Sequence, residues 1–214
     1  MKKSVMFMCI AVIFTVSIFS LTLQDVVKGD MFEKGFSCTM KMTTKAEGMT
    51  MVSDATMAVK GKNVRMEMKM PTNTPMYEFM KQKNIDEYII FTTEEKGKEV
   101  MYTYYPKRKQ FVVFADMPEG EENFDSLEPD EEIQKVGTEM FAGVNADKYK
   151  VLDGQDGTTF YYIDPVKKIM IGSTTKTDDT EMVVVLSNIS FNVPDSTFTR
   201  PAGYSKISPN ELYR

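Results

Sequence analysis

Hydrophobic and polar positions alternate along most of this chain, most sharply between residues 36 and 70. Phe36, Cys38, Met40 and Met42 alternate with Ser37, Thr39, Lys41 and Thr43. Met49, Met51, Ala55, Met57 and Val59 alternate with Thr50, Asp54, Thr56 and Lys60. Val64, Met66, Met68 and Met70 alternate with Arg65, Glu67 and Lys69. A period of two marks strands with one apolar and one polar face. Gly61-Lys62 suits a two-residue hairpin turn with glycine first, which pairs Val59 with Val64, Met57 with Met66 and Ala55 with Met68. A four-residue loop at Lys45–Gly48 pairs Met42 with Met51 and Cys38 with Ala55. A one-residue slip would throw these side chains onto the polar face, so the register is strongly specified. The expectation is a three-stranded meander with one continuous face of thioethers and small apolar groups.

The remaining pattern is also mostly strand. Asp25–Lys34 reads as a short helix or turn. Pro71–Asn84 breaks the sheet, and Thr74 is placed to cap a short helix with Pro75 at its first position, carrying Met76, Phe79 and Met80 on one side. Glu87–Thr93, Val100–Tyr105 and Gln110–Ala115 are β-branched and aromatic, as strands prefer. They are apolar on both faces, so another part of the chain is expected to cover the second face. Asp116–Glu132 holds eight acids beyond Asp116 and no base. It lacks the spacing of a calcium loop and reads as a solvated loop or lid. Glu132–Met140 turns at Ala142-Gly143 into Ala146–Leu152, and Thr158–Ile163, Lys168–Lys176 and Glu181–Asn192 follow. About ten strands with few helices predict a barrel or strongly curved antiparallel sheet, not a βαβ protein.

The ends of the chain change this picture. Lys2-Lys3 precedes an uncharged run from Ser4 to Gln24, the pattern of a secretory signal peptide. A cut after Ser20 is expected; the rival is an uncleaved anchor over residues 4–24, since ~20 apolar residues span a bilayer. Cys9 lies inside the apolar run with no Gly or Ala before it, so no lipobox is present. The remaining residues divide into a short linker or helix over 21–34, one β domain over 35–206 and a tail over 207–214. After cleavage only Cys38 is left. Its place on the apolar face makes it a small buried hydrophobe, with pairing to another chain as the alternative.

Composition mainly excludes. The formal charge of −5 becomes −7 when Lys2 and Lys3 are removed, which gives no basic surface for nucleic acid. The chain has no histidine, which rules out Ser-His and Cys-His catalysis and the common histidine zinc sites. No nucleotide-binding, nucleophile-elbow or C-x-x-C motif is present. We therefore expect a non-enzymatic protein without a cofactor, acting as a monomer.

Ten of the nineteen methionines lie between Met40 and Met80, and three readings of them stand open. Phe36, Met40, Met42, Met51, Met57, Met66, Met68 and Met70 form an adaptable apolar lining for a ligand. Alternatively, Met40, Met42, Met49, Met51, Met66 and Met68, as M-x-M pairs of soft thioethers, bind Cu(I) or Ag(I). In the third reading they fill a closed core, and the protein works through contacts with other proteins.

Several segments resemble a known superfamily. Ala58-Val59-Lys60-Gly61-Lys62-Asn63-Val64-Arg65-Met66-Glu67 resembles the strand–turn–strand of LolA/LolB-like periplasmic lipoprotein carriers. Tyr104-Tyr105-Pro106-Lys107-Arg108-Lys109-Gln110 resembles that superfamily's Y-x-P-x-x-x-Q turn. Thr138-Glu139 to Gly143, Asp147 to Val151, and the ending from Asn188-Ile189 through Pro194 to Phe198 and Pro201 to Tyr204 are similar to a related uncharacterised exported family. The resemblance implies an unclosed β-barrel whose hollow, covered by short helices, holds acyl chains of lipoproteins bound for the outer membrane. It implies a periplasmic or cell-envelope location, a lipid or lipoprotein acyl chain as ligand and envelope proteins as partners. It also carries over Arg65, as a strand arginine bonding a lid or head group. Period two places Arg65 on the face opposite the methionines.

Overall fold

The computed structural model describes residues 21–27, 31–46, 48–115, 131–152 and 157–212. The signal peptide or anchor expected over residues 1–20 and the acidic stretch 116–130 lie outside the described residues. Thirteen strands are described: β1 (Leu21–Thr22), β2 (Phe36–Ala46), β3 (Met49–Lys60), β4 (Asn63–Lys69), β5 (Glu87–Glu95), β6 (Lys98–Tyr105), β7 (Gln110–Ala115), β8 (Glu132–Phe141), β9 (Val144–Val151), β10 (Thr158–Asp164), β11 (Ile169–Lys176), β12 (Thr180–Phe191) and β13 (Ser205–Lys206). They form one sheet in the order β1-β8-β9-β10-β11-β12-β2-β3-β4-β5-β6-β7-β13. Only β7 and β13 run parallel. The two ends of this order, β1 and β13, do not pair with each other, so the sheet is an unclosed, curved barrel of the class the sequence predicts.

Among the described residues four short helices accompany the sheet: α1 (Leu23–Val26), α2 (Met31–Lys34), α3 (Tyr77–Gln82) and α4 (Pro209–Leu212). None is long enough to hold its shape without packing. The predicted cap of α3 is displaced. Met76 is its N-cap, while the Thr74 hydroxyl donates to the Pro71 carbonyl at 2.9 Å and closes the turn before the helix. The segments expected as linker and tail both enter the packing: Leu23, Val27 and Leu212 are buried.

The meander forms with one correction. β3 and β4 pair as predicted, Val59 with Val64, Met57 with Met66 and Ala55 with Met68. Between β2 and β3 the loop is two residues shorter at its base, because Ala46 pairs with Met49 and Gly48 takes φ +77°, a conformation that glycine adopts without steric cost. Met42 therefore faces Ser53 and Cys38 faces Met57, not Met51 and Ala55. The shift is of two residues, so every side chain keeps its predicted face.

Three bulges bend the sheet. The register shifts between Lys135 and Gly137, between Tyr162 and Ile163, and between Ser187 and Ser190. Each inserts an extra residue and sharpens the local twist. At Gly172, beside the second bulge, a Cβ would sit 2.1 Å from the Val184 carbonyl oxygen and 2.6 Å from the Phe141 ring. Here glycine is needed for space: Phe141 lies over the strand and stacks on Tyr162 at 3.9 Å.

The two faces are packed separately. The main core joins residues from β2 to β5 and β8 to β12 with Leu23 and Val27; we call this the inner face. A second inner cluster, Ile85, Tyr105, Val112 and Leu212, closes the β5–β7 end. On the outer face Phe91, Tyr102 and Tyr104 pack with Phe111 and Tyr204, and Ala146, Tyr162, Ile169 and Ile171 form a further cluster. The covering expected over the aromatic strands is the C-terminal segment that carries Tyr204.

Candidate functional site

The apolar side chains of the inner face line up across strands. One row runs Leu186, Met40, Ala55, Met68, Tyr88 from β12 to β5. The next runs Cys38, Met57, Met66, Ile90, Thr103, Val112 from β2 to β7. Such rows follow from alternation in register, since direct cross-strand partners share a face.

The predicted lining residues are placed unequally. Phe36 is fully buried, and Met40, Met66 and Met68 are 6–8% exposed. Met42 and Met57 are half-buried and pack against that core from its side. Met51 and Met70 are half-buried at the strand ends. Met49, at the tip of the β2–β3 hairpin, is 42% exposed. The six methionines of the copper reading are spread along the meander. Met51 lies four residues from Ala55, the partner of Met68, a separation of about 14 Å along the strand. They therefore do not converge on one ion. Cys38 is a free buried cysteine; burial pushes its thiol up to about 12, so it is an inert small hydrophobe at neutral pH.

Short segments cover this face. Leu23 and Val27 sit in the main core, and their i, i+4 spacing across α1 puts both on one side. Leu23 N–H donates to the Glu131 carbonyl at 3.1 Å. Thr22 donates through its backbone N–H and its hydroxyl to the Asp25 carboxylate at 2.9 and 2.7 Å, which lowers the Asp25 pKa. At the other end, Met80 of α3 packs on the cluster of Ile85, Tyr105, Val112 and Leu212. Tyr88 belongs to both clusters, and burial raises its pKa. Leu186, Tyr88, Leu23 and Val27 were not among the residues singled out on the sequence. Leu186 was signalled by the alternation of β12, and Leu23 and Val27 by their helical spacing.

Arg65 lies on the outer face, as its period-two position implies. Its Nε donates to Glu67 at 2.9 Å and its Nη1 to the Thr197 carbonyl at 3.0 Å. The guanidinium stands 5.2 Å from the Phe91 ring centroid. It pins the C-terminal segment to the back of the sheet and does not face the methionines.

Fold and site together define a class: an open, curved antiparallel sheet whose apolar inner face is covered by short helices. No protein-family model matches the sequence, and no curated protein matches it. Solved structures do. An uncharacterized conserved protein from Thermus thermophilus shares this fold, with 9% identity and a TM-score of 0.55, covering 87% of this chain and 96% of that one. A LolA superfamily protein from Nitrosomonas europaea is also similar, at 12% identity over 85% of this chain and 99% of that one, with a TM-score of 0.39. So is a putative outer membrane lipoprotein-sorting protein domain from Vibrio parahaemolyticus, at 11% identity over 84% and 92%, with a TM-score of 0.38.

Proposed function

We propose that this chain is an exported, non-enzymatic binding protein that holds an acyl chain, alone or on a lipoprotein, against the methionine rows of its inner face. One observation carries the reading. One apolar row runs unbroken across five strands and a second spans six with Thr103 its one polar member, yet α1, whose Leu23 shares a core cluster with them, is a helix of four residues. Displacing Leu23 and Val27 would open the core cluster against which Met42 and Met57 pack. Burying an acyl chain there yields ~25 cal/mol per Å² of apolar area before the costs of association. Methionine suits such a surface, because its flexible thioether repacks around varied chains.

The test is uptake of a fluorescent fatty acid by the double variant Met42→Asp/Met57→Asp. Both side chains are half-buried, so the β-sheet signal in circular dichroism should persist while uptake is lost. Undiminished uptake in the folded variant would sink the lining. A Met42→Leu/Met57→Leu variant should bind as the parent does, because volume and polarity are nearly conserved.

A further inference from the structure

At the β5–β7 end of the inner face, two buried acceptors stand without donors. Asp86 is 6% exposed. Its Oδ2 accepts a 2.7 Å bond from Lys107, but its Oδ1 has no hydrogen-bond partner. The buried Oε1 of Gln110 has none either. Both residues border the second inner cluster: Asp86 directly follows Ile85, and Gln110 is the cross-strand partner of Tyr105. Ile85 and Tyr105 belong to that cluster, which is joined to the methionine rows through Tyr88. Lys107 is 37% exposed, so the polar pair reaches solvent while the acceptors do not.

Buried acceptors are normally satisfied, and each one left bare carries a desolvation penalty. Here both bare atoms are acceptors, beside a carboxylate that shares Lys107 with Glu87. The complementary group is a donor.

We infer that this end of the face is a head-group site: Asp86 Oδ1 and Gln110 Oε1 accept hydrogen bonds from a donor-bearing polar group, a hydroxyl, amide or amine, attached to the acyl chain that lies on the methionines. The inference rests on the carrier reading and deepens it. It makes the preferred ligand an acyl chain whose head group keeps a free hydroxyl, amine or amide N–H, not a bare hydrocarbon or a simple ester.

Two ligands with the same sixteen-carbon acyl chain test it: 1-monopalmitoylglycerol, with two hydroxyl donors, and methyl palmitate, with none. The intact exported protein is titrated with each below its micelle concentration. It should bind the glycerol ester about tenfold more tightly, the worth of one hydrogen bond to a charged group. In Gln110→Leu the preference for the glycerol ester over methyl palmitate should fall severalfold, and Asp86→Asn should reduce it likewise. Equal affinity of the parent protein for the two esters, or a preference that survives in both variants, would overturn the head-group site while leaving the carrier reading intact. Failure of both esters to bind would overturn the carrier reading, and the head-group site with it.

Discussion

At the residue scale, the bonds that Asp164 accepts at a strand end make one contribution to stability depend on pH. Asp164, at the end of β10, accepts backbone N–H bonds from Lys167 at 3.0 Å and Val166 at 2.9 Å. The Lys167 bond is the larger cause of a carboxyl pKa below the ordinary value; burial acts the other way, and the Val166 bond adds to the lowering. A pKa depressed by folding contributes stability that is present above the unfolded value of about 3.9 and lost as pH falls through the folded value. Asp164→Ala should therefore cost roughly 1–3 kcal/mol at neutral pH, and the difference from the parent should shrink as both are titrated into acid. Urea unfolding at neutral pH and near the acid limit checks this; a deficit unchanged in acid would mean that packing, not the charged bonds, carries it. Single residues were unevenly legible in the sequence. Cys38 and Arg65 fell on their true faces because period two assigns faces without knowledge of partners. Asp86 and Gln110 did not stand out, because an unmet acceptor becomes visible only when every neighbouring donor is placed.

At the element scale, β4 to β7 are held from behind by a strap. Asp195–Phe198 forms a 3₁₀ turn. Beyond it Tyr204 packs edge-on against Tyr104 at 5.2 Å, with Lys109 5.0 Å from its ring centroid. Ser205 donates to the Lys109 carbonyl just before β7 and Ile207 to the Phe111 carbonyl on it, and Arg65 holds Thr197. Arg65→Ala and Tyr204→Ala should each destabilise the protein by about 1–2 kcal/mol. If the strap detaches as a unit, the double variant should lose less than the sum. Chemical unfolding of the four proteins measures this, and additivity within about 0.3 kcal/mol would show two independent contacts. The need for such a cover was legible, since residues 87–115 are apolar on both faces. Its identity was not, because the segment after Pro194 has no periodicity to read. Strands β2 to β12 were found within a few residues of their ends, while the two-residue β1 and β13 were not. The three bulges were missed, since each adds one residue to an alternation that continues on either side.

At the scale of the whole molecule, the open barrel and its apolar interior were legible because alternation and turn spacing agree. The covers were only partly legible: the short helix expected after Thr74 forms as α3, whereas α1, at Leu23–Val26, begins before the helix or turn expected over Asp25–Lys34. Those covers decide between a carrier and a closed core, and the two accounts make opposite predictions for Leu23. It is 1% exposed and packs in the main core beside Val27. In a closed core, Leu23→Ala only removes buried area and leaves a cavity, at a cost of about 2–5 kcal/mol. In a carrier the same side chain competes with the ligand for the inner face. Weakening it raises the fraction of molecules in the open state, and apparent affinity rises in proportion. Leu23→Ala should then be less stable in urea yet bind a fluorescent fatty acid more tightly, about tenfold for each 1.4 kcal/mol by which the cover is weakened relative to the open state. The gain should vanish when Met42→Asp/Met57→Asp is added, because the face exposed by the loosened cover no longer accepts a chain. A variant that is destabilised with no gain in uptake would mean that Leu23 fills the interior permanently and that the methionines are core.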